Sequence, residues 1–439
     1  MKKLNVFLPV ILIVLLLISW YSFLSGTFKT TIEYNSYIKE AKASIKDGLY
    51  EQAIEFYKDA LSVKKSVGIY RDIKSTYDTL YKEEHIPFIR NAYISDMALA
   101  ATDFPNQDEF WNTQIKLYIE ANNYTKAYET AVQAKNMNVS GKEFDKLYKE
   151  LLYMTKIDYK LYSKFYTALN GYITVYDGNE WLVLGDDGKE LIGPYKLIGL
   201  LNDDGKGLYI NNIDTRILDK NEIARARFKL DVEEAGCYSE SSDLIPVKIK
   251  DKWKYVNSKG KLLKGEYDVA GSFYNKKAVA KKDNKWYLID EKGNETKLDF
   301  QDIKLDLYGS YIQSGIILAK KGGNYHIYDA DFKQIGDFSA SNVDICISSN
   351  LIAFEKGGKW GFANKEGKVE IEPAYDGAKS FANGYAAVKN DGGLWGFINS
   401  NNELVIDYKY FDAFYFTSSE TCMISEADGC YQLLQFKFD

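Results

Sequence analysis

The sequence predicts a multidomain chain running α then β. One N-terminal transmembrane helix is followed by an α-α helical-repeat domain and then an all-β repeat domain, read as a seven- or eight-bladed β-propeller. Three observations predict this. Residues 6–24 carry no charge. Residues 33 to about 168 are poor in glycine and space their apolar side chains as helices do. From Tyr172 onward an aromatic-anchored unit recurs every 33 to 39 residues, a period that marks repeat architectures. The boundaries fall at 1–28, 29–168 and 169–439.

Met-Lys-Lys-Leu-Asn opens the chain, and Val6 to Leu24 then gives 19 uncharged residues. As a helix this stretch reaches roughly 29 Å, about one hydrocarbon core. Trp20 and Tyr21 stand near its outer end, where interfacial aromatics belong. A cleaved signal peptide is the rival, but its apolar region is normally shorter and ends in a small-residue site that Ser22 to Thr27 does not match well. An uncleaved signal anchor is the expectation. Lys2 and Lys3 keep the N-terminus cytoplasmic and place the chain from about Phe28 onward outside the cell membrane, in a single-pass topology.

In the next region Tyr37, Ala41, Ser44, Gly48, Tyr50, Ala53, Tyr57 and Ala60 alternate small and large residues, as two closely crossing helices require. Trp111, Tyr118, Tyr124, Ala127, Ala131 and Ala134 repeat the scheme. Tyr77, Leu80, Ile86, Ile89 and Tyr93 form a weaker unit between them. Glu143 to Leu169 reads as a capping helix with Phe144, Leu147, Leu151 and Leu152 inward. The pattern resembles tetratricopeptide repeats. That resemblance implies a concave groove for peptides or partner helices. A spacer holding the β-domain off the membrane is the other reading.

The β-region carries its period in aromatic anchors at Trp181, Trp253, Trp286, Tyr325, Trp360, Trp395 and Tyr431, with Gly361 and Gly396 directly after two of them. The gap from Trp181 to Trp253 is two periods, and Lys206 to Asn211 reads as a degenerate copy inside it. One unit splits into strands at Tyr385–Lys389, Leu394–Asn399, Glu403–Ile406 and Tyr408–Phe414, separated by Asn/Asp/Gly turns. Four short strands have too little core to stand alone, so they stack on the next unit. A Trp recurring once per unit reads as an inter-unit wedge, and the Gly after it lets a neighbour approach closely. The first unit lacks an initial strand and the last a terminal one, so pairing of the two ends closes a ring and removes sheet edges. An open β-solenoid is the alternative.

Gly357 to Tyr410 resembles the WG-repeat family of bacterial β-repeat proteins, through Trp360-Gly361, Pro373-Ala374-Tyr375-Asp376, Phe381, Gly384, Ala386-Ala387-Val388 and Trp395-Gly396. In looser form the resemblance runs from about Gly171 to the C-terminus. It implies a repeat scaffold and transfers no catalytic residue.

Composition narrows the function. The chain has 439 residues, 56 basic against 62 acidic side chains, and no basic patch of the kind nucleic-acid binding needs. Its aromatic content is 15%. The four cysteines, at 237, 346, 422 and 430, form no C-x-x-C motif. Cys422 and Cys430 flank one hairpin, and Cys422 takes the small buried position of Ala386. Neither His85 nor His326 has Cys or His company, so no metal site or triad is expected. No P-loop, G-x-S-x-G or G-x-G-x-x-G motif occurs. The polar turns carry oxygen ligands but match no EF-hand spacing. Asp203-Asp204 and Glu233-Glu234 are paired carboxylates of the type that hydrolyse glycans, though such pairs usually sit in solvated loops. Asp219 to Glu240, with Arg225-Ala226-Arg227, is the least repeat-like segment.

The reading is a non-enzymatic, membrane-anchored binding or scaffolding protein of the cell envelope, without cofactor or metal, acting on protein or peptide partners. The alternative is a cell-wall glycan-binding module that exposes its repeat aromatics.

Overall fold

The computed structural model describes residues 30–439, apart from 168–171, 186, 203, 212–213, 220, 222, 348–350 and 439, together with Leu16, Trp20 and Tyr21; of residues 224–226 it describes the backbone. The expected span from Val6 to Leu24 lies outside the described residues, except that Leu16, Trp20 and Tyr21 are helical and exposed. Among the described residues no helix is long and apolar enough to cross a membrane. The chain forms two compact units, divided in sequence between Leu152 and Tyr153.

The first unit is helical: α1 (residues 30–46), α2 (Tyr50–Val63), α3 (Val67–Glu83), α4 (Pro87–Asp103), α5 (Asp108–Glu120), α6 (Tyr124–Asn136) and α7 (Lys142–Leu152). From α2 onward each helix packs on the next, and α7 also packs on α5. Local chemistry sets the helix ends. Pro87 opens α4, where its missing N–H costs nothing. Asn123 caps α6 by accepting from the Lys126 N–H at 3.2 Å. Asn122 and Asn138 take positive φ beyond α5 and α6. Ala41, Ala53, Ala60, Ala127, Ala131 and Ala134 are fully buried, which lets helix backbones approach closely, and Tyr57 and Tyr93 fill the gaps.

The helix expected to run from Glu143 to Leu169 ends at Leu152, and β1 (Thr155–Ile157) comes almost at once. The β-unit therefore begins at Tyr153 rather than 169. The reason is closure, because Thr155–Ile157 is the outer strand of the last sheet.

That unit is an eight-bladed β-propeller. Blade 1 contains β2 (Lys164–Thr167), β3 (Ile173–Tyr176), β4 (Trp181–Leu184) and β5 (Glu190–Tyr195). Blade 2 contains β6 (Leu197–Ile198), β7 (Gly207–Ile210), β8 (Thr215–Leu218) and β9 (Ala224–Phe228). Blade 3 has β10 (Glu234–Ala235), β11 (Ile245–Ile249) and β12 (Lys252–Val256), with bridges to Leu262 and Tyr267 in place of a fourth strand. Blade 4 has β13 (Val269–Ala270), β14 (Lys277–Lys282), β15 (Lys285–Asp290) and β16 (Glu295–Leu298). Blade 5 has β17 (Asp302–Ile303), β18 (Ile317–Lys321) and β19 (Asn324–Tyr328), again completed by bridges, to Gln334 and Ala340. Blade 6 has β20 (Asn342–Val343), β21 (Ile352–Lys356), β22 (Lys359–Ala363) and β23 (Val369–Tyr375). Blade 7 has β24 (Gly377–Ala378), β25 (Tyr385–Lys389), β26 (Trp395–Asn399) and β27 (Leu404–Tyr410). Blade 8 joins β28 (Asp412–Ala413), β29 (Thr421–Ala427) and β30 (Cys430–Phe436) to β1.

Closure is visible in the cores. Each blade shares one apolar cluster with the next, from blades 1 and 2 round to 7 and 8. A further cluster joins Met423 and Leu433 of blade 8 to Ile173, Val175, Leu182 and Leu184 of blade 1. An open solenoid has no such seam between its first and last units.

Two strand assignments shift. Tyr408–Phe414 is not one strand: residues to Tyr410 complete blade 7, and Asp412–Ala413 starts blade 8. Lys206–Asn211 is not an anchor strand. It contains β7, a second strand, and the anchor position of blade 2 is Thr215, which pairs with Ile210 and Phe228. An apolar run looks alike on either strand, and Thr215 carries no aromatic signal.

Candidate functional site

The anchors occupy one register position. Each lies at the start of its blade's third strand, between the second strand and the fourth: Trp181 pairs with Tyr176 and Tyr195, Trp286 with Lys281 and Leu298, Trp360 with Glu355 and Tyr375, Trp395 with Lys389 and Tyr410. Trp253, Tyr325 and Tyr431 hold the same place with Lys248, Lys320 and Ser425 opposite. Trp181, Trp286 and Tyr325 are buried, and Trp253, Trp360, Trp395 and Tyr431 are half-buried. Every one packs into the cluster shared with the following blade.

Lysines cover several rings. Lys281 Nζ lies 5.8 Å from the Trp286 ring centre, and Lys320 Nζ 5.4 Å from that of Tyr325. Lys379 and Lys389 lie 5.3 and 5.9 Å from that of Trp395. Such cation–π contacts leave these faces occupied. The anchors are wedges between blades, not an open row of stacking platforms.

Gly361 and Gly396 answer to a bulge in the outer strand. Between Trp360 and Phe362 the partner strand runs from Tyr375 to Ile371, and between Trp395 and Phe397 it runs from Tyr410 to Ile406, so extra residues fold over the glycine. A Cβ on Gly361 would lie 2.5 Å from the Ile371 carbonyl oxygen, and one on Gly396 2.6 Å from that of Ile406. Blade 4 has Tyr287 after Trp286 and no register shift there. Blade 1 puts the space on the other strand, where Gly193 crosses Leu182.

The third-to-fourth-strand turns also use their oxygens. Asn257, Asp290, Asp329, Asn364 and Asn399 each accept, through Oδ1, from backbone N–H groups two and four residues on. These side chains build the hairpins. Among the described residues no group of three or more His, Cys, Asp or Glu side chains is arranged to hold a metal ion.

Other residues singled out by sequence have structural partners. His326 Nδ1 lies 2.8 Å from the Phe338 carbonyl oxygen. His85 stacks on Tyr81 and meets Glu120 at 2.5 Å. Glu233 accepts from the N–H groups of Lys250 and Asp251, and Glu234 pairs with Lys248 at 2.8 Å. Asp204 lies 3.7 Å from Lys206, and Asp203 is outside the described residues. Arg227 pairs with buried Asp214 at 2.6 Å, and the side chains of Arg225 and Ala226 are outside the description. All four cysteines are free thiols. Cys422 pairs across the hairpin with Leu434, away from Cys430.

What sequence reasoning missed is a cavity of about 450 Å³ at one mouth of the propeller axis. It is built by the connections from first to second strand in blades 2 to 6. Tyr238, Ser272, Tyr274, Tyr308, Ser310 and Cys346 are among its walls. The connections hold one another. Cys237 N–H donates to Ser272 Oγ at 3.0 Å, Ser272 N–H to the Gly309 carbonyl at 2.7 Å, and Cys346 N–H to Gln313 Oε1 at 2.7 Å. Around the rest of the mouth Tyr415 of blade 8 donates to Asp344 of blade 6 at 2.8 Å, passing over blade 7, whose Ser380 N–H donates to the same carboxylate at 2.7 Å. Leu307, Ile345, Ile347, Ala382 and Tyr415 pack together there. The cavity therefore has firm walls on one side and a plug on the other. Burial pushes the Cys346 thiol up to about 11, so it stays protonated at neutral pH. Burial, then the Asp243 carboxylate, raises the Tyr238 phenol as well.

The helical unit has a cavity of about 430 Å³ among α3, α4 and α5, lined by Lys74, Asp78, Tyr81, His85, Lys116 and Glu120. Its charges are largely paired within the unit, as in Lys74–Asp78 at 2.8 Å and Lys116 with Glu143.

Residues 255–286, 360–393 and 395–422 match the WG containing repeat. They fall in blades 3 to 4, 6 to 7 and 7 to 8, and include Trp360-Gly361 and Trp395-Gly396. No curated protein matches the sequence. Among solved structures, the chain is similar to KlHsv2 with loop 6CD replaced by a Gly-Ser linker, at 11% identity over 53% of this chain and 92% of that one, TM-score 0.35. It is similar to the Neurospora crassa Pan2 WD40 domain at 12% identity over 56% and 90%, TM-score 0.33. A eukaryotic initiation factor gives 10% identity over 60% and 77%, TM-score 0.41.

Proposed function

We propose that this propeller of WG containing repeats is the binding head of a non-enzymatic scaffolding protein anchored in the cell envelope. The observation that carries the reading is the axial cavity, a preformed concavity lined by aromatic, apolar and hydroxyl side chains. Among the described residues, Glu233, Glu234 and His326 hold strands and turns. Membrane anchoring rests on the uncharged stretch Val6–Leu24 and on the exposure of Leu16, Trp20 and Tyr21 within it. In this reading the helical unit, with its tetratricopeptide-like spacing of small residues, takes protein or peptide partners. A glycan partner is the second reading, and the aromatic lining of the axial cavity favours it over the buried anchors.

Two experiments on intact cells test the proposal. With a tag at Asp439, external protease removes the tag while the N-terminal span stays in membranes; a tag protected until lysis reverses the topology. A photoreactive residue replacing Tyr308 at the cavity traps an envelope component, and one replacing Leu394, on the blade 7 hairpin, does not. Equal trapping at both positions, or none at 308, overturns the binding role of the cavity.

A further inference from the structure

Asp306 is the one charged side chain among the described residues lining the axial cavity. Its carboxylate is committed, since Oδ1 accepts from the N–H groups of Tyr308 at 2.9 Å and Ser310 at 2.7 Å. The thiols give no charge either: Cys237 Sγ and Cys346 Sγ contact carbonyl oxygens at 3.9 and 3.8 Å. An anionic ligand entering here would lose water, gain no counter-charge and meet the Asp306 carboxylate, which is costly.

Three uncommitted donors remain. Ser272, only 5% exposed, accepts from Cys237 N–H, and its own proton has no protein acceptor among the described residues. Asn202 Oδ1 is used by the N–H groups of Asp204 and Lys206, and its amide N–H groups have no protein acceptor among the described residues. The Tyr274 hydroxyl has no protein partner among the described residues, and the residue is 45% exposed at the mouth. Phe273, Leu307, Ile312, Ile345 and Ile347 supply apolar wall around these donors. A purely apolar ligand would bury the Ser272 hydroxyl without an acceptor, so the lining asks for an oxygen-bearing rim on an apolar body. At about 450 Å³ the volume suits a small molecule rather than a chain segment of many residues.

We propose that the axial cavity binds an uncharged pyranose sugar, its C–H face against the aromatic wall and its ring and hydroxyl oxygens accepting from Asn202, Ser272 and Tyr274. This rests on the binding role proposed above and names its ligand class.

Titration calorimetry on the full-length protein in detergent tests it with three probes: neutral N,N′-diacetylchitobiose, its cationic de-acetylated form, and an anionic digalacturonic acid. The neutral sugar is expected to bind, with the anionic sugar weaker by about tenfold or more. Tyr274→Phe, which keeps the ring, weakens the neutral sugar by roughly three- to tenfold. Tyr274→Ala, at an exposed site that leaves the fold intact, weakens it further. Equal binding of the neutral and anionic sugars, tighter binding of the cationic one, or full affinity in Tyr274→Ala, overturns the proposal. Failure of every sugar while position 308 still traps a component in cells refutes the sugar and leaves the binding role. Failure of both removes both.

Discussion

Gly361 faces the carbonyl of Ile371 so closely that a single added carbon would stand 2.5 Å from that oxygen. The same relation joins Gly396 to Ile406 at 2.6 Å. The glycine of the Trp-Gly pair therefore belongs to the bulged outer strand as much as to its own. Gly361→Ala and Gly396→Ala should each lower stability by about 1–3 kcal/mol, the usual cost of overpacking. Calorimetric melting of the full chain measures it. Unchanged melting would mean that the bulge relaxes freely.

Tyr415 and Asp344 tie blade 8 to blade 6 beside the axial cavity. Burial, then the Asp344 charge, holds the Tyr415 phenol well above its usual value, so the hydroxyl stays a donor. Tyr415→Phe should cost about 1–3 kcal/mol, and Asp344→Asn combined with it should cost less than the two changes added, because they share one contact. Strict additivity in a double-mutant cycle would show that the bond contributes nothing.

Acid should loosen the propeller in a defined window. A hydrogen bond from Lys252 holds the Asp268 carboxyl below the usual range, Asn294 does the same for Asp290, and the N–H groups of Glu180 and Asn179 for Asp177. Depressed carboxyls favour the folded state above their unfolded value and lose that contribution as pH falls through the folded one. The urea midpoint should stay level from pH 7 to 5 and drop below about pH 4. Asp268→Asn should make the drop shallower. A midpoint that falls equally steeply in the variant would remove the Lys252 pair from the explanation.

The turn oxygens make a further prediction. Asn364→Ala deprives the Glu366 and Lys368 N–H groups of their acceptor, and Asn399→Ala does so for Asn401 and Glu403. Each should cost about 1 kcal/mol, and adding calcium should shift neither the wild type nor the variants. A calcium-dependent rise in melting temperature would make these turns ion sites.

Periodic parts of the fold are legible in the sequence, and aperiodic ones are hidden. Trp286, Trp360 and Trp395 mark the unit length because burial between blades demands a large side chain once per repeat. Thr215 fills the same register in blade 2 without an aromatic, so the signal of that blade falls on its second strand instead. Thr155–Ile157 is too short for a periodic signal and comes directly after a helix, so the closing strand reads as part of a helical cap. The axial cavity is not legible at all. Its walls come from short runs in connections of five different blades; Tyr308 follows Tyr274 by one repeat length, but the residue types in these runs change from blade to blade, so nothing in them marks a site before the ring closes.

Hydrogen–deuterium exchange on the full-length protein, with a dialysed detergent extract of the cell envelope and with the same detergent alone, locates the binding surface. If the axial cavity binds, protection rises in residues 271–276, 304–316 and 344–347, the connections that wall it. Protection confined to the helices between residues 30 and 152, or to the anchor strands at the blade interfaces, would contradict binding there.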